Sequence, residues 1–109
     1  MNETSEKNTA LDKDLKVDFL QLKKAALILR AINHKLRQQI LKLIQQKDKI
    51  TVTEIYVKLR LEQSVASQHL AILRKAGFVT TVRDGKFIYY SVNSQRLQEV
   101  NRYAHDLLK

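Results

Sequence analysis

From Asp12 onward, Leu15, Phe19, Leu22, Ala26 and Leu29 step by four, three, four and three, which keeps one apolar stripe on one side of a helix over 12–31. Asn33 then offers an N-cap for a second helix in which Leu36, Ile40, Leu43 and Ile44 repeat at helical spacing as far as Gln46, and His34 reads as a helix-start residue. Thr51 and Glu54 make a Thr-x-x-Glu capping box, so a short third helix is predicted over 52–59. After a break at Arg60-Leu61-Glu62, a fourth helix runs over 62–76 with Ala66, Leu70 and Leu73 as its inward face, and Gly77 supplies the left-handed residue that ends it. The rhythm then changes. Phe78 to Arg83 and Lys86 to Val92 are rich in β-branched and aromatic residues, with Asp84-Gly85 between them as a hairpin turn. Asn93 or Ser94 caps a last helix over 94–108, whose Leu97, Val100, Ala104 and Leu107 again form one stripe.

The predicted fold class is therefore mainly α with a small β-hairpin, in the order α-α-α-α-β-β-α. Residues 1–11 lack a periodic apolar pattern and read as a disordered tail, which leaves 12–109 as one domain. Two helices joined by a tight turn and followed by a hairpin make a winged helix-turn-helix, a layout that brings the second of the pair to the major groove of DNA.

The residues on that helix suit the task. Its outward face carries Gln63, Ser64, Val65, Ser67, Gln68 and Ala71, which are short donors, acceptors and methyl groups where a solvated helix would more often carry Glu and Lys. Gln can pair bidentately with adenine, Ser can bond to base edges or phosphates, and a methyl can meet that of thymine. On the wing, Arg83 and Lys86 flank the turn as phosphate-contacting cations, although a charged tip also protects any hairpin from edge pairing. The formal net charge of +9, from 20 Lys and Arg against 11 Asp and Glu, agrees with double-stranded DNA as the partner.

Composition narrows the chemistry further. With no Cys, the chain has no disulfide, thiolate metal site or thiol redox sensor. The longest apolar run, Ala25 to Leu29, is far short of a membrane span, so a soluble, cytoplasmic protein with no membrane partner is expected. No Cys–His or Ser–His–Asp arrangement, glycine-rich phosphate loop or carboxylate pair emerges, which argues against an enzyme, and nothing calls for a cofactor. His34, His69 and His105 fall on separate elements with no ligand spacing between them. His69 stands beside inward Leu70, where an orienting hydrogen bond inside the domain is the expected role in preference to a base contact.

The run Ser64-Val65-Ala66-Ser67-Gln68-His69-Leu70-Ala71-Ile72-Leu73-Arg74-Lys75-Ala76-Gly77-Phe78-Val79 resembles the recognition-helix signature of ArsR-family winged-helix repressors. Arg83-Asp84-Gly85-Lys86-Phe87-Ile88-Tyr89-Tyr90 is similar to that family's wing, and Arg37-Gln38-Gln39-Ile40-Leu41 to its second helix, so the likeness covers about 31–92. It implies a homodimer that represses from an operator near its own promoter and is released by an inducer. The departures are specific. Thr51 and Thr53 stand where many relatives have a Cys-x-Cys metal motif, and His34-Lys35-Leu36 replaces the Asp-Pro-Thr that opens the second helix. Arg60 replaces a glycine before the recognition helix. Relatives that carry Asp and His ligands on the last helix have here Gln95, Leu97, Glu99, Asn101, His105 and Asp106; adjacent His105 and Asp106 point about 100° apart, so no metal site is expected. The inducer is not identifiable from these residues.

The stripes of the terminal helices, 12–31 and 94–108, remain over once the central helices have formed a core, and pairing with their copies would make a two-fold dimer interface. The competing reading is a winged-helix module for protein or RNA without operator specificity, which would call for aromatic or apolar residues on the outward helix face.

Overall fold

A computed structural model describes residues 11–12 and 14–109. The chain divides after Arg30 into two compact units. In the described part of the first unit, β1 (Leu11–Asp12) pairs antiparallel with β2 (Val17–Asp18), and α1 (Phe19–Ile32) follows at once. The helix expected from Asp12 therefore starts seven residues later, at Phe19. Two aspartates are the reason. Asp12 Oδ1 accepts from the amides of Asp14 and Leu15, and Asp18 Oδ1 accepts from those of Leu20 and Gln21, so the first makes a turn and the second caps the helix. Leu15 consequently lies off the stripe and is exposed, while Phe19, Leu22, Ala26 and Leu29 remain on α1. Of the predicted tail, residues 1–10 lie outside the described residues and Leu11 is in β1.

The second unit contains α2 (Lys35–Lys47), β3 (Ile50–Thr51), α3 (Val52–Lys58), α4 (Gln63–Lys75), β4 (Val79–Asp84), β5 (Phe87–Val92) and α5 (Ser94–Leu107). The cap of α2 is His34 rather than Asn33: its Nδ1 accepts from the amides of Leu36 and Arg37. Asn33 lies one residue too early for its side chain to serve the first turn. The Thr51–Glu54 capping box forms as read, with the Glu54 amide donating to Thr51 Oγ1 at 3.2 Å and the Thr51 amide to Glu54 Oε1 at 3.1 Å. Those Thr51 bonds, backbone first and hydroxyl second, hold the Glu54 carboxyl below its usual range.

Ile40, Ile44, Ile50, Ile55, Leu70, Leu73 and Phe78 are the large side chains buried most completely, and they bring α2, β3, α3, α4 and the start of the hairpin onto one core. Each contributes roughly 1.5–3 kcal/mol of transfer free energy. β3 is too short to be read from periodicity; it pairs with β5 through Ile50 and Tyr90 and through Thr51 and Tyr89, giving a three-stranded antiparallel sheet in the order β3-β5-β4.

The end of α4 follows the Schellman pattern, in which the amide of Gly77 donates to Arg74 O and that of Phe78 to Leu73 O, with Gly77 at φ +85°. The hairpin turn is shifted by one residue from the expectation. Asp84 pairs with Phe87, so the loop is Gly85-Lys86, and the positive φ falls on Gly85 and not on Lys86, as a type II′ turn requires.

Arg60, between α3 and α4, has φ +57°, the left-handed region that disfavours a residue with a Cβ. The position accounts for the glycine it replaces. Arg60→Gly is expected to raise stability by up to about 1 kcal/mol, the relief of strain being partly offset by a freer unfolded chain, whereas Arg60→Val lowers it by about 1–2 kcal/mol. Urea midpoints of the two variants measured side by side test both signs.

Candidate DNA-recognition surface

On α4, the inward residues Ala66, Leu70 and Leu73 are buried as read. At 100° per residue this directs Ser64, Gln68, Ala71 and Lys75 along the opposite line, and all are exposed. Gln63 and Ser67 are exposed beside them; Val65 is half-buried on the flank, so its methyl groups are only partly presented. The exposed polar set therefore occupies the first two turns, the part of a recognition helix that enters the groove. Glu62, at the N-cap, makes no side-chain capping bond. The outward face is less polar than the sequence reading allowed, because Ile72 on its flank is 41% exposed.

The helix is held at the other side by hydrogen bonds. Arg37, a charged residue only 8% exposed, donates from Nε to the Ala31 carbonyl at 2.6 Å and from Nη1 to His69 Nδ1 at 3.2 Å. A guanidinium can only donate, so His69 is the acceptor and carries its ring proton on Nε2. The His34 ring lies 4.9 Å from that of His69, centroid to centroid. Burial first, and then the proximity of His34 and Arg37, push the His69 imidazole below its usual pKa. His69 has the orienting bond expected of it; its partner Arg37 belongs to another helix, and thirty-two residues of separation hide the contact from any local pattern.

On the wing, Arg83 pairs opposite Ile88 within the ladder and Lys86 lies in the loop itself, with Nζ 5.7 Å from the Phe87 ring centre; both cations are exposed. Val82 and Tyr89 pair opposite each other, as do Asp84 and Phe87, so these four share a face. Phe87 is 51% and Val82 61% exposed there, and the Phe87 and Tyr89 rings are 6.4 Å apart. Lys49, just before β3, sits over the Tyr89 ring at 4.8 Å, a contact that only the β3–β5 pairing creates.

Residues 94–107 of α5 leave Leu97, Val100 and Ala104 half-buried, and Leu107 is 67% exposed; no residue of that helix is buried. Among the described residues no group of three or more His, Asp and Glu could hold a metal, and no helix is long and apolar enough to cross a membrane.

Residues 34–81 match the model of the bacterial regulatory protein arsR family, a span that runs from the His34 cap to the middle strand residues of β4. The chain is 33% identical over 84 residues to the transcriptional activator HlyU of Vibrio cholerae, an alignment covering 77% of each protein. It is 31% identical to the transcriptional repressor PagR of Bacillus anthracis over 87 residues, which cover 80% of this chain and 87% of PagR. The crystal structure of HlyU from Vibrio vulnificus superposes with a TM-score of 0.61 at 35% identity, over 81% of this chain and 91% of that one. With a capped helix-turn-helix, a two-residue wing turn and relatives that are transcription regulators rather than enzymes, this chain is a winged helix-turn-helix transcription regulator of the ArsR family, without the cysteine metal-sensing motif.

Proposed function

We propose that the chain is a repressor that reads a palindromic double-stranded operator as a homodimer. The observation that carries this reading is the row of exposed Gln63, Ser64, Ser67 and Gln68 on the first two turns of α4, behind a short α3 that begins in a capping box. In this reading those residues and the methyl groups of Val65 read base edges, while Arg83 and Lys86 neutralise phosphates beside the recognition helix. In this reading, occupying the operator blocks transcription; the relative PagR is named a transcriptional repressor. Any inducer acts without thiolate chemistry, since the chain has no Cys.

Dimerisation rests on the apolar residues left over on α1 and α5. Phe19, Leu22 and Leu27 are exposed on α1, and Leu107 and Tyr103 on α5, more large apolar surface than a monomer of this size has reason to present. Pairing with the copies of these helices would cover it isologously and set two recognition helices about one turn of DNA apart. A second reading, in which the wing docks on a protein, draws on exposed Val82 and Phe87; it predicts no preference for any duplex.

Three measurements test the proposal. Ser64→Ala with Gln68→Ala is expected to cost about 1–3 kcal/mol of binding to a duplex selected from a random pool and little on a scrambled one, since base contacts alone are removed; equal losses on both would remove direct readout. Lys86→Ala, which removes one phosphate contact from each protomer, should weaken both duplexes alike and reduce the slope of log affinity against log salt by about two units for the dimer, about one per protomer. In sedimentation at micromolar concentration the wild type runs as a dimer, and Val100→Asp, which puts a charge on the α5 stripe, runs as a monomer; a monomeric wild type ends the dimer proposal.

A further inference from the structure

We propose that Arg37 is the positioning residue of the DNA-reading helix, acting through its hydrogen bond to neutral His69, and that acidification therefore loosens sequence-selective binding. The inference rests on the reading of α4 as a DNA-reading helix and assigns a residue on another helix to its control. The packing of Ala66, Leu70 and Leu73 holds α4 by apolar contact, which has no preferred hydrogen-bond direction. The bond from Arg37 Nη1 to His69 Nδ1 is directional, and its other anchor is the 2.6 Å bond from Nε to the Ala31 carbonyl. The planar guanidinium thus bridges a fixed carbonyl and the recognition helix, and it does so at the residue next to Gln68, on the outermost line of α4.

The bridge works in one protonation state. When His69 takes a proton, Nδ1 becomes a donor facing a donor, and an imidazolium stands beside the Arg37 guanidinium and against the His34 ring. His34 and Arg37, both from the α2 side, are the charged or titratable groups that act on His69; α3, with Glu54, Tyr56 and Lys58, and β4, with Arg83 and Asp84, pack against α4 but do not contribute. Burial and both neighbours favour the neutral ring, so the competent state is fully present above the ordinary imidazole pKa and is lost as pH falls through the lowered one. The sign is diagnostic. If His69 contacted phosphate or a base as a cation, acid would strengthen binding, and acid also makes an already basic protein more so, which strengthens binding to any duplex.

The test measures the affinity ratio of a duplex enriched from a random pool by the wild-type protein to a scrambled duplex, at constant ionic strength from about pH 7.5 down to the lowest pH at which the protein stays folded. Circular dichroism at each pH restricts the comparison to folded protein. The ratio for the wild type is expected to fall on acidification, with a slope no steeper than about two decades per pH unit, the limit for one proton on each of the two protomers. His69→Asn, whose amide oxygen accepts from Arg37 without titrating, should show no slope, and Arg37→Gln should lower the ratio at the higher pH. His34→Asn, which keeps a capping acceptor on α2, should retain a slope. A wild-type ratio that is flat or rises on acidification overturns the proposal, as does a slope that survives in His69→Asn or vanishes only in His34→Asn. If no duplex is enriched at all, the DNA-reading assignment falls and this inference with it, whereas enrichment with a flat ratio removes the positioning role alone.

Discussion

The turn at Gly77-Phe78 sets most of the second unit in place. Gly77, at φ +85°, reverses the chain at the end of α4, and its amide and that of Phe78 satisfy the carbonyls of Arg74 and Leu73 that the helix would otherwise leave open. Phe78 thereby drops into the core, fully buried as Leu73 is, and Val79 begins the wing. The same two residues start the last helix: the Phe78 carbonyl accepts from the Asn93 amide at 2.8 Å, and the Gly77 carbonyl accepts from Asn93 Nδ2 at 2.9 Å. Asn93 Oδ1 then caps α5 through the Arg96 amide. One left-handed residue fixes where the recognition helix stops, where the wing starts and where the terminal helix begins. A Cβ at Gly77 would meet Arg96 Nε at 2.9 Å, a flexible neighbour, so the backbone conformation is the stricter constraint.

Against that apolar frame, the polar interactions divide by what they can specify. Capping by Thr51, His34 and Asn93 fixes helix starts from within a few residues of sequence. The Arg37 bridge is of another kind, since a buried guanidinium is tolerated only when its donors are met, and the acceptors here include the Ala31 carbonyl and His69. Apolar burial supplies most of the stability, and the few directed bonds decide the orientation in which α4 offers its outer face.

Local signals proved reliable where a residue acts on its own neighbours. The capping box, the Gly77 stop and the inward triplet Ala66, Leu70 and Leu73 appear where the pattern puts them, and the hairpin forms with its turn displaced by one residue. Signals that admit two local partners were read less well. Asp12 and Asp18 could have begun one long helix, but each bonds the backbone just ahead of it, and the chain turns before α1. Asp84-Gly85 is the commoner hairpin pair, yet the register that pairs Val79 with Val92 moves the loop to Gly85-Lys86 and puts a cation in the turn.

By itself, then, the sequence determined the order of the five helices and the wing hairpin, the starts and stops of most helices, the inward face of α4, and the absence of thiolate chemistry, because each depends on residues within about a turn or on composition alone. Only the tertiary structure decided that β3 joins the wing sheet, that Lys49 covers Tyr89, and that Arg37 reaches His69. Those contacts join residues far apart in the chain, whose distance in space is set by how the core packs rather than by any spacing along the sequence.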